Sequence, residues 1–251
     1  MIDICVPLID LRRTEDAFVQ DLFDAATGSG ATLVHANYAR CYVDLNRDSR
    51  ELDPSMFSDG LPRTVAVSSP RVEAGLGCLP RVASRGEQIY ARKISRAAGE
   101  RRLSSVYDAY HSYIRNKLDD LVKIHGLAIL IDCHSMPSRR QRQRPLPDIV
   151  LGDRFGSSCD NRLTSLVERS FRDLGYTVSR NAPYAGGYTT RCYGRPKRNI
   201  HALQIEINRN LYMDEYTVEP SASFQKVRTD LITIVERLAG FSHRMKQSLT
   251  V

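Results

Sequence analysis

Gly126-Leu127-Ala128-Ile129-Leu130-Ile131-Asp132-Cys133-His134-Ser135 is the stretch on which the fold turns. Five apolar residues follow a glycine without a break, the pattern of a strand buried on both faces as in a parallel sheet. The run ends in an aspartate, a cysteine, a histidine and a serine. In open α/β sheets, ligands and catalytic groups collect at the carboxyl ends of such strands. Histidine is the commonest side-chain metal ligand, and a nearby carboxylate often fixes its tautomer. Standing alone, the segment is equally consistent with a histidine whose hydrogen bonds are satisfied at a strand end.

Outward from this run, helical and strand patterns alternate. Phe18, Val19, Leu22, Phe23 and Ala26 mark a helix over about 15–26, capped by Thr14. Val106, Tyr110, Ile114, Leu118, Leu121 and Val122 mark a second over about 100–125. A third covers 161–174 between Asp160 as cap and Gly175 as stop, and a fourth covers about 221–239. Short apolar runs at 32–36, 148–151, 176–179 and 202–208 read as further strands. Residues 48–99 are rich in Pro, Gly, Ser and Arg, too long for an ordinary connection, and read as a functional or partly structured loop region. The alternation predicts one α/β domain over 1–251, a sandwich around a mostly parallel sheet.

Composition narrows the class. A mean hydropathy of −0.35 and 42% hydrophobic residues fit a soluble globular domain with an adequate core. No apolar stretch has membrane-spanning length, and the start at Met1 has no secretory pattern, so the chain reads as cytoplasmic. Six widely spaced cysteines without a CxxC pair read as reduced thiols. A net charge of +7 permits anionic substrates or nucleic acid. Its densest cluster, Arg139-Arg140-Gln141-Arg142-Gln143-Arg144, precedes Pro145 and Pro147 and reads as a solvated surface loop, with a lid as the other reading. No interleaved aromatics or binding motif support a nucleic-acid tract there.

Three further polar constellations stand out. Arg40, Asp44, Asn46 and Arg47 fall within eight residues; an arginine fork matches a carboxylate and an asparagine amide adds a donor, so Asn46-Arg47 suits carboxylate capture. A surface turn with an ordinary Arg–Asp pair is the plain alternative. In Leu203-Gln204-Ile205-Glu206-Ile207-Asn208 the apolar residues share one strand face and the polar ones the other. An acid there is paired or functional if buried, or merely wet if the strand is an edge. A desolvated Glu206 beside an activated water is a candidate general base. Asn181-Ala182-Pro183-Tyr184-Ala185-Gly186-Gly187-Tyr188 reads as a mobile loop whose tyrosines could close over a ligand.

Taken together, Leu11–Val19, Tyr38–Arg47, Asp132–Ser138, Val150–Arg154, Asn181–Gly187 and Gln204–Met213 resemble the N-formylglutamate amidohydrolase family, in order and over most of the chain. The resemblance implies a three-layer α/β/α sandwich around a mostly parallel mixed sheet, similar to the zinc carboxypeptidases. It implies cleavage of N-formyl-L-glutamate, or a related N-acyl acidic amino acid, to formate and glutamate in histidine degradation. The implied metal is Zn2+, with Co2+ or Mn2+ as substitutes. The implied ligands are His134 and Asp16, with Glu15 as the alternative carboxylate. Glu206 would be the general base, Arg40 the oxyanion stabiliser, Asn46 and Arg47 the α-carboxylate clamp, and Tyr184 or Tyr188 pocket lining. The family pattern begins with a Pro-His-Ser-Gly segment whose histidine is a ligand. Here Val6–Asp10 leads straight into Leu11-Arg12-Arg13 and no histidine precedes His35, so the domain reads as shortened at its N-terminus. The other readings are a relative that only binds an acidic amino-acid derivative, and a basic nucleic-acid-binding protein.

Overall fold

The computed structural model describes residues 4–63, 68–83, 86–138 and 146–248. In chain order its helices are α1 (Leu8–Arg12), α2 (Val19–Phe23), α3 (Pro70–Glu73), α4 (Arg96–Arg102), α5 (Ala109–His125), α6 (Asn161–Asp173), α7 (Tyr188–Tyr193) and α8 (Phe224–Ser248). The strands are β1 (Ala128–Met136), β2 (Ile149–Gly152), β3 (Val178–Arg180), β4 (Ile200–Asn208), β5 (Met213–Asp214) and β6 (Glu219–Pro220). Contacts group these into two compact units, Met1–Glu15 with Ala36–Arg115, and Asp16–His35 with Asn116–Val251.

The second unit holds a four-stranded sheet of order β1-β4-β2-β3. β1 runs parallel to β4 and β2 parallel to β3, while β4 and β2 are antiparallel. The sheet is therefore mixed and mostly parallel. Leu203, Ile205 and Ile207 of β4, with Ile149 and Leu151 of β2, are buried against Leu22 and Phe23 of α2, Leu163, Val167 and Phe171 of α6, and Val227, Leu231 and Ile234 of α8. This apolar face forms one core cluster of twenty buried residues among the described ones. Side chains of that size each contribute about 1.5–3 kcal/mol on burial. β4 lies inside the sheet and all nine of its residues are buried, which rules out the wet edge strand as a reading of its polar face.

Several local expectations change. β1 continues to Met136, so His134 stands within the strand and not beyond its end. The helix expected over 15–26 is interrupted because Phe18 takes a left-handed φ of 63°; α2 follows, then a 3-10 turn over Asp24–Ser29. Thr14 does not cap it, its hydroxyl donating instead to the Leu11 carbonyl. The stretch 32–36 forms no strand, and His35 is exposed. β-branched residues alone do not make a strand without a neighbour to pair with. Asp160 does cap α6, accepting from the Arg162 amide at 2.7 Å. Six free thiols are present, and no helix among the described residues is long and apolar enough to cross a membrane. Arg139–Arg144 lies outside the described residues.

The first unit has a smaller core of Leu11, Cys41, Ala83 and Ile89. Arg102 is fully buried in it, its guanidinium 4.4 Å from the Tyr42 ring centre and 5.2 Å from that of Tyr90, and it donates to the Tyr42 carbonyl. Between α4 and α5 the helix widens into a π turn over Leu103–Asp108.

Candidate active site

The polar face of the β1–β4 pair is set by strand periodicity. Residues two apart share a face, and parallel partners stand side by side. The register pairs Asp132 with Gln204 and His134 with Glu206. A buried imidazole, a buried acid and a buried amide are thereby brought onto one patch with the half-buried Asp132.

His134 is held from both sides. Its Nδ1 lies 3.1 Å from Asp16 Oδ2 and its Nε2 lies 3.0 Å from Asp132 Oδ1. Burial alone would lower the imidazole pKa, but the charges and hydrogen bonds of Asp132 and Asp16 outweigh it and hold the pKa well above the ordinary histidine value. Asp16 sits off the outer edge of β1, where no strand among the described residues pairs with the Ser135 N–H. That N–H donates to Asp16 Oδ1 at 2.8 Å, and the Ser135 hydroxyl donates to the same oxygen at 2.9 Å. Arg209 Nε in turn donates to the Ser135 hydroxyl at 3.1 Å. One oxygen of Asp16 is thus fixed by Ser135 while the other faces the imidazole. Glu15 belongs to the first unit, where Arg12 pairs with it at 3.5 Å.

Glu206 is oriented by Gln204, whose Nε2 donates to Glu206 Oε1. The Gln204 side-chain oxygen Oε1 accepts from the Gly187 amide at 2.5 Å. Gly152 makes this reach possible. It pairs with Gln204 across β2 and β4, and a Cβ there would stand 2.6 Å from the Gly186 nitrogen and 2.8 Å from the Ala185 carbonyl carbon. The absence of a side chain lets the 181–187 loop lie directly on the sheet. The loop expected to be mobile is tied down further. Asn181 donates to Asp153 Oδ1 at 2.8 Å and accepts from the Asp153 amide at 3.1 Å, and the Arg154 amide donates to the Ala185 carbonyl at 2.8 Å. Tyr184 and Tyr188 are half-buried on this loop and at the start of α7, and the Arg191 guanidinium lies 5.4 Å from the Tyr188 ring centre.

Arg40, Asn46 and Arg47 lie in the first unit. Asp44 stands between the two arginines, 3.4 Å from Arg40 Nε and 3.7 Å from Arg47 Nε, and its other oxygen accepts from the Asn46 amide at 2.9 Å. Arg47 donates through Nη1 to the Asn46 carbonyl at 2.9 Å and through Nε to the Leu76 carbonyl at 3.3 Å. Burial pushes the Arg47 pKa below the ordinary arginine value, and Asp44 opposes that shift.

His134 and Asp16 are nitrogen and oxygen donors of the kind zinc takes, and Asp132 on the far ring nitrogen is the orienting carboxylate such a ligand usually has. Among the described residues, no three His, Cys, Asp or Glu side chains converge as a metal-holding set. The chemistry of the pair fits a metal; the count is two where a catalytic zinc takes three protein ligands. Sequence reading named His134, Asp16 and Glu206 but gave no role to Gln204, Ser135 or Arg209. Gln204 is signalled only by its place two residues before Glu206 in an alternating strand.

This is a mixed α/β protein whose buried site sets an imidazole held by carboxylates beside a further acid, a donor set suited to hydrolysis. A family model described as N-formylglutamate amidohydrolase matches residues 3–213. The chain is 34% identical over 205 residues to an N-formylglutamate deformylase of Pseudomonas putida, spanning 80% of this chain and 71% of that protein. It is 33% identical over 222 residues to an N-formylglutamate deformylase of Pseudomonas aeruginosa, spanning 83% and 77%. The crystal structure of N-formylglutamate amidohydrolase from Ralstonia eutropha JMP134 matches with a TM-score of 0.91 at 35% identity, covering 96% of this chain and 88% of that one. The chain belongs to the N-formylglutamate amidohydrolase family, whose named members are hydrolases acting on an amide.

Proposed function

We propose that this protein hydrolyses N-formyl-L-glutamate, or a closely related N-acyl acidic amino acid, to formate and glutamate in the cytoplasm, on a three-layer scaffold like that of the zinc carboxypeptidases. The observation that carries the proposal is the side-by-side pairing of His134 with Glu206 on one buried face, with Asp16 on the imidazole. Zinc, or cobalt or manganese in its place, would be held by His134 and Asp16 and would supply an activated water and a polarised carbonyl. Glu206 takes the proton from the attacking water and returns it to the leaving amine. Gln204 holds the Glu206 carboxylate by a hydrogen bond from its amide. Arg40 stabilises the developing oxyanion, Asn46 and Arg47 take the α-carboxylate, and Tyr184 and Tyr188 line the pocket.

The test is formate release from N-formyl-L-glutamate, measured with the metal content of the same preparation. Formate production that disappears in His134→Ala and Glu206→Ala is the expected result. No formate at any zinc, cobalt or manganese loading overturns the proposal. The ligand count among the described residues favours a second reading, a relative that binds an acidic amino-acid derivative without turning it over. Glutamate binding without formate release would establish that reading.

A further inference from the structure

We propose that Tyr107 and His111 are positioning residues that fix the Asn46-Arg47 backbone, and with it the direction of the Arg47 guanidinium. The inference rests on the reading of Arg47 as the α-carboxylate clamp.

The helix from Arg96 to His125 is not regular: its middle is the π turn Leu103–Asp108. Such turns occur often at functional sites. Tyr107 lies in this turn and His111 four residues on, so both present to the same side. Both are buried, and their rings lie 4.2 Å apart. Tyr107 Oη donates to the Arg47 carbonyl at 2.7 Å. His111 Nε2 lies 3.0 Å from the Leu45 carbonyl, so that nitrogen carries the proton and donates. The helix thus grips the carbonyls on either side of Asn46. The intervening groups are held locally, the Asn46 amide by Asp44 and the Asn46 carbonyl by Arg47 itself. With these groups fixed, little rotation is left in the segment from which Arg47 projects. A loop arginine held this way keeps one orientation for a ligand carboxylate, and preorganisation strengthens binding without adding a ligand contact.

The test uses the full chain and two ligands that cannot be hydrolysed further, L-glutamate and its α-carboxamide, L-isoglutamine. Their ratio of dissociation constants does not depend on how much protein is folded. In Tyr107→Phe the glutamate constant should rise about fivefold, the effect of one lost hydrogen bond, with isoglutamine little changed. The same substitution should add nothing in an Arg47→Ala background. A ratio unchanged in Tyr107→Phe but collapsed in Arg47→Ala overturns the positioning role alone. A ratio unchanged in Arg47→Ala overturns the clamp reading on which it rests. Amide hydrogen exchange at Asn46 and Arg47 reads the backbone independently of any ligand; exchange no faster in Tyr107→Phe overturns the grip itself.

Discussion

Glu206 stands directly beside His134 in the parallel register of β1 and β4. Neither residue is near the other in sequence, yet the hydrogen-bond ladder between the two strands sets them side by side. Glu206→Gln keeps the shape of the side chain and its place next to Gln204 but cannot accept a proton. The expected result is a fall in kcat for formate release of about 10²- to 10⁴-fold, the usual worth of a positioned general base, with KM changed far less. Steady-state kinetics on N-formyl-L-glutamate decide it.

Asp132 faces His134 on the ring nitrogen away from Asp16. Asp132→Asn removes the charge facing His134 Nε2 while keeping the volume. Zinc affinity should weaken by about 10- to 100-fold, the usual range for such an orienting carboxylate. Competition with a chelator of known zinc affinity measures this without turnover.

Gly152→Ala would drive a methyl group into the backbone of Ala185 and Gly186. The loop must lift, and the Gly187 amide then leaves Gln204. Overpacking of this kind costs about 1–3 kcal/mol. The melting temperature should drop and kcat should fall with it, while Gly156→Ala, where added bulk meets open space, gives a reference for backbone strain alone because Gly156 has a φ of +80°.

His201 supplies a pH dependence. Its Nδ1 accepts from the Asp160 amide at 3.2 Å at the start of α6, which requires a neutral ring. Burial pushes its pKa below the ordinary histidine value, opposed by Asp160. A histidine with a lowered folded pKa contributes stability that is present above the unfolded value of about 6.5 and is lost as pH falls from there towards the folded pKa. Thermal melts between neutral and mildly acid pH should show this loss, and His201→Gln should flatten it. Parallel curves for the two proteins would exclude His201 as its source.

Much of the second unit was legible because two-residue alternation is a strong pattern. Leu203, Ile205 and Ile207 against Gln204, Glu206 and Asn208 gave the two faces of β4, and Gly126–Ile131 gave the start of β1. The burial of the polar face was not legible, since alternation looks the same whether the second face meets water or a loop. Only the placement of β2 and of the 181–187 loop over Gly152 decides between them. Tyr107 and His111 were hidden for a related reason. Within the 100–125 helix they read as ordinary helical positions, and their partners are carbonyls about 60 residues earlier, at Arg47 and Leu45. The helix expected over 15–26 failed on one backbone conformation, the left-handed Phe18, which no propensity of phenylalanine announces.

The alternation in β4 also bears on folding fidelity. A slip of a single residue against β1 would turn Leu203, Ile205 and Ile207 towards the imidazole and bury Gln204, Glu206 and Asn208 among the helices. Such a chain would forfeit its apolar contacts and strand three polar side chains in the same event. A one-residue slip therefore cannot lose the site while keeping the core; only a slip by two residues would hold the apolar face inward and still part His134 from Glu206.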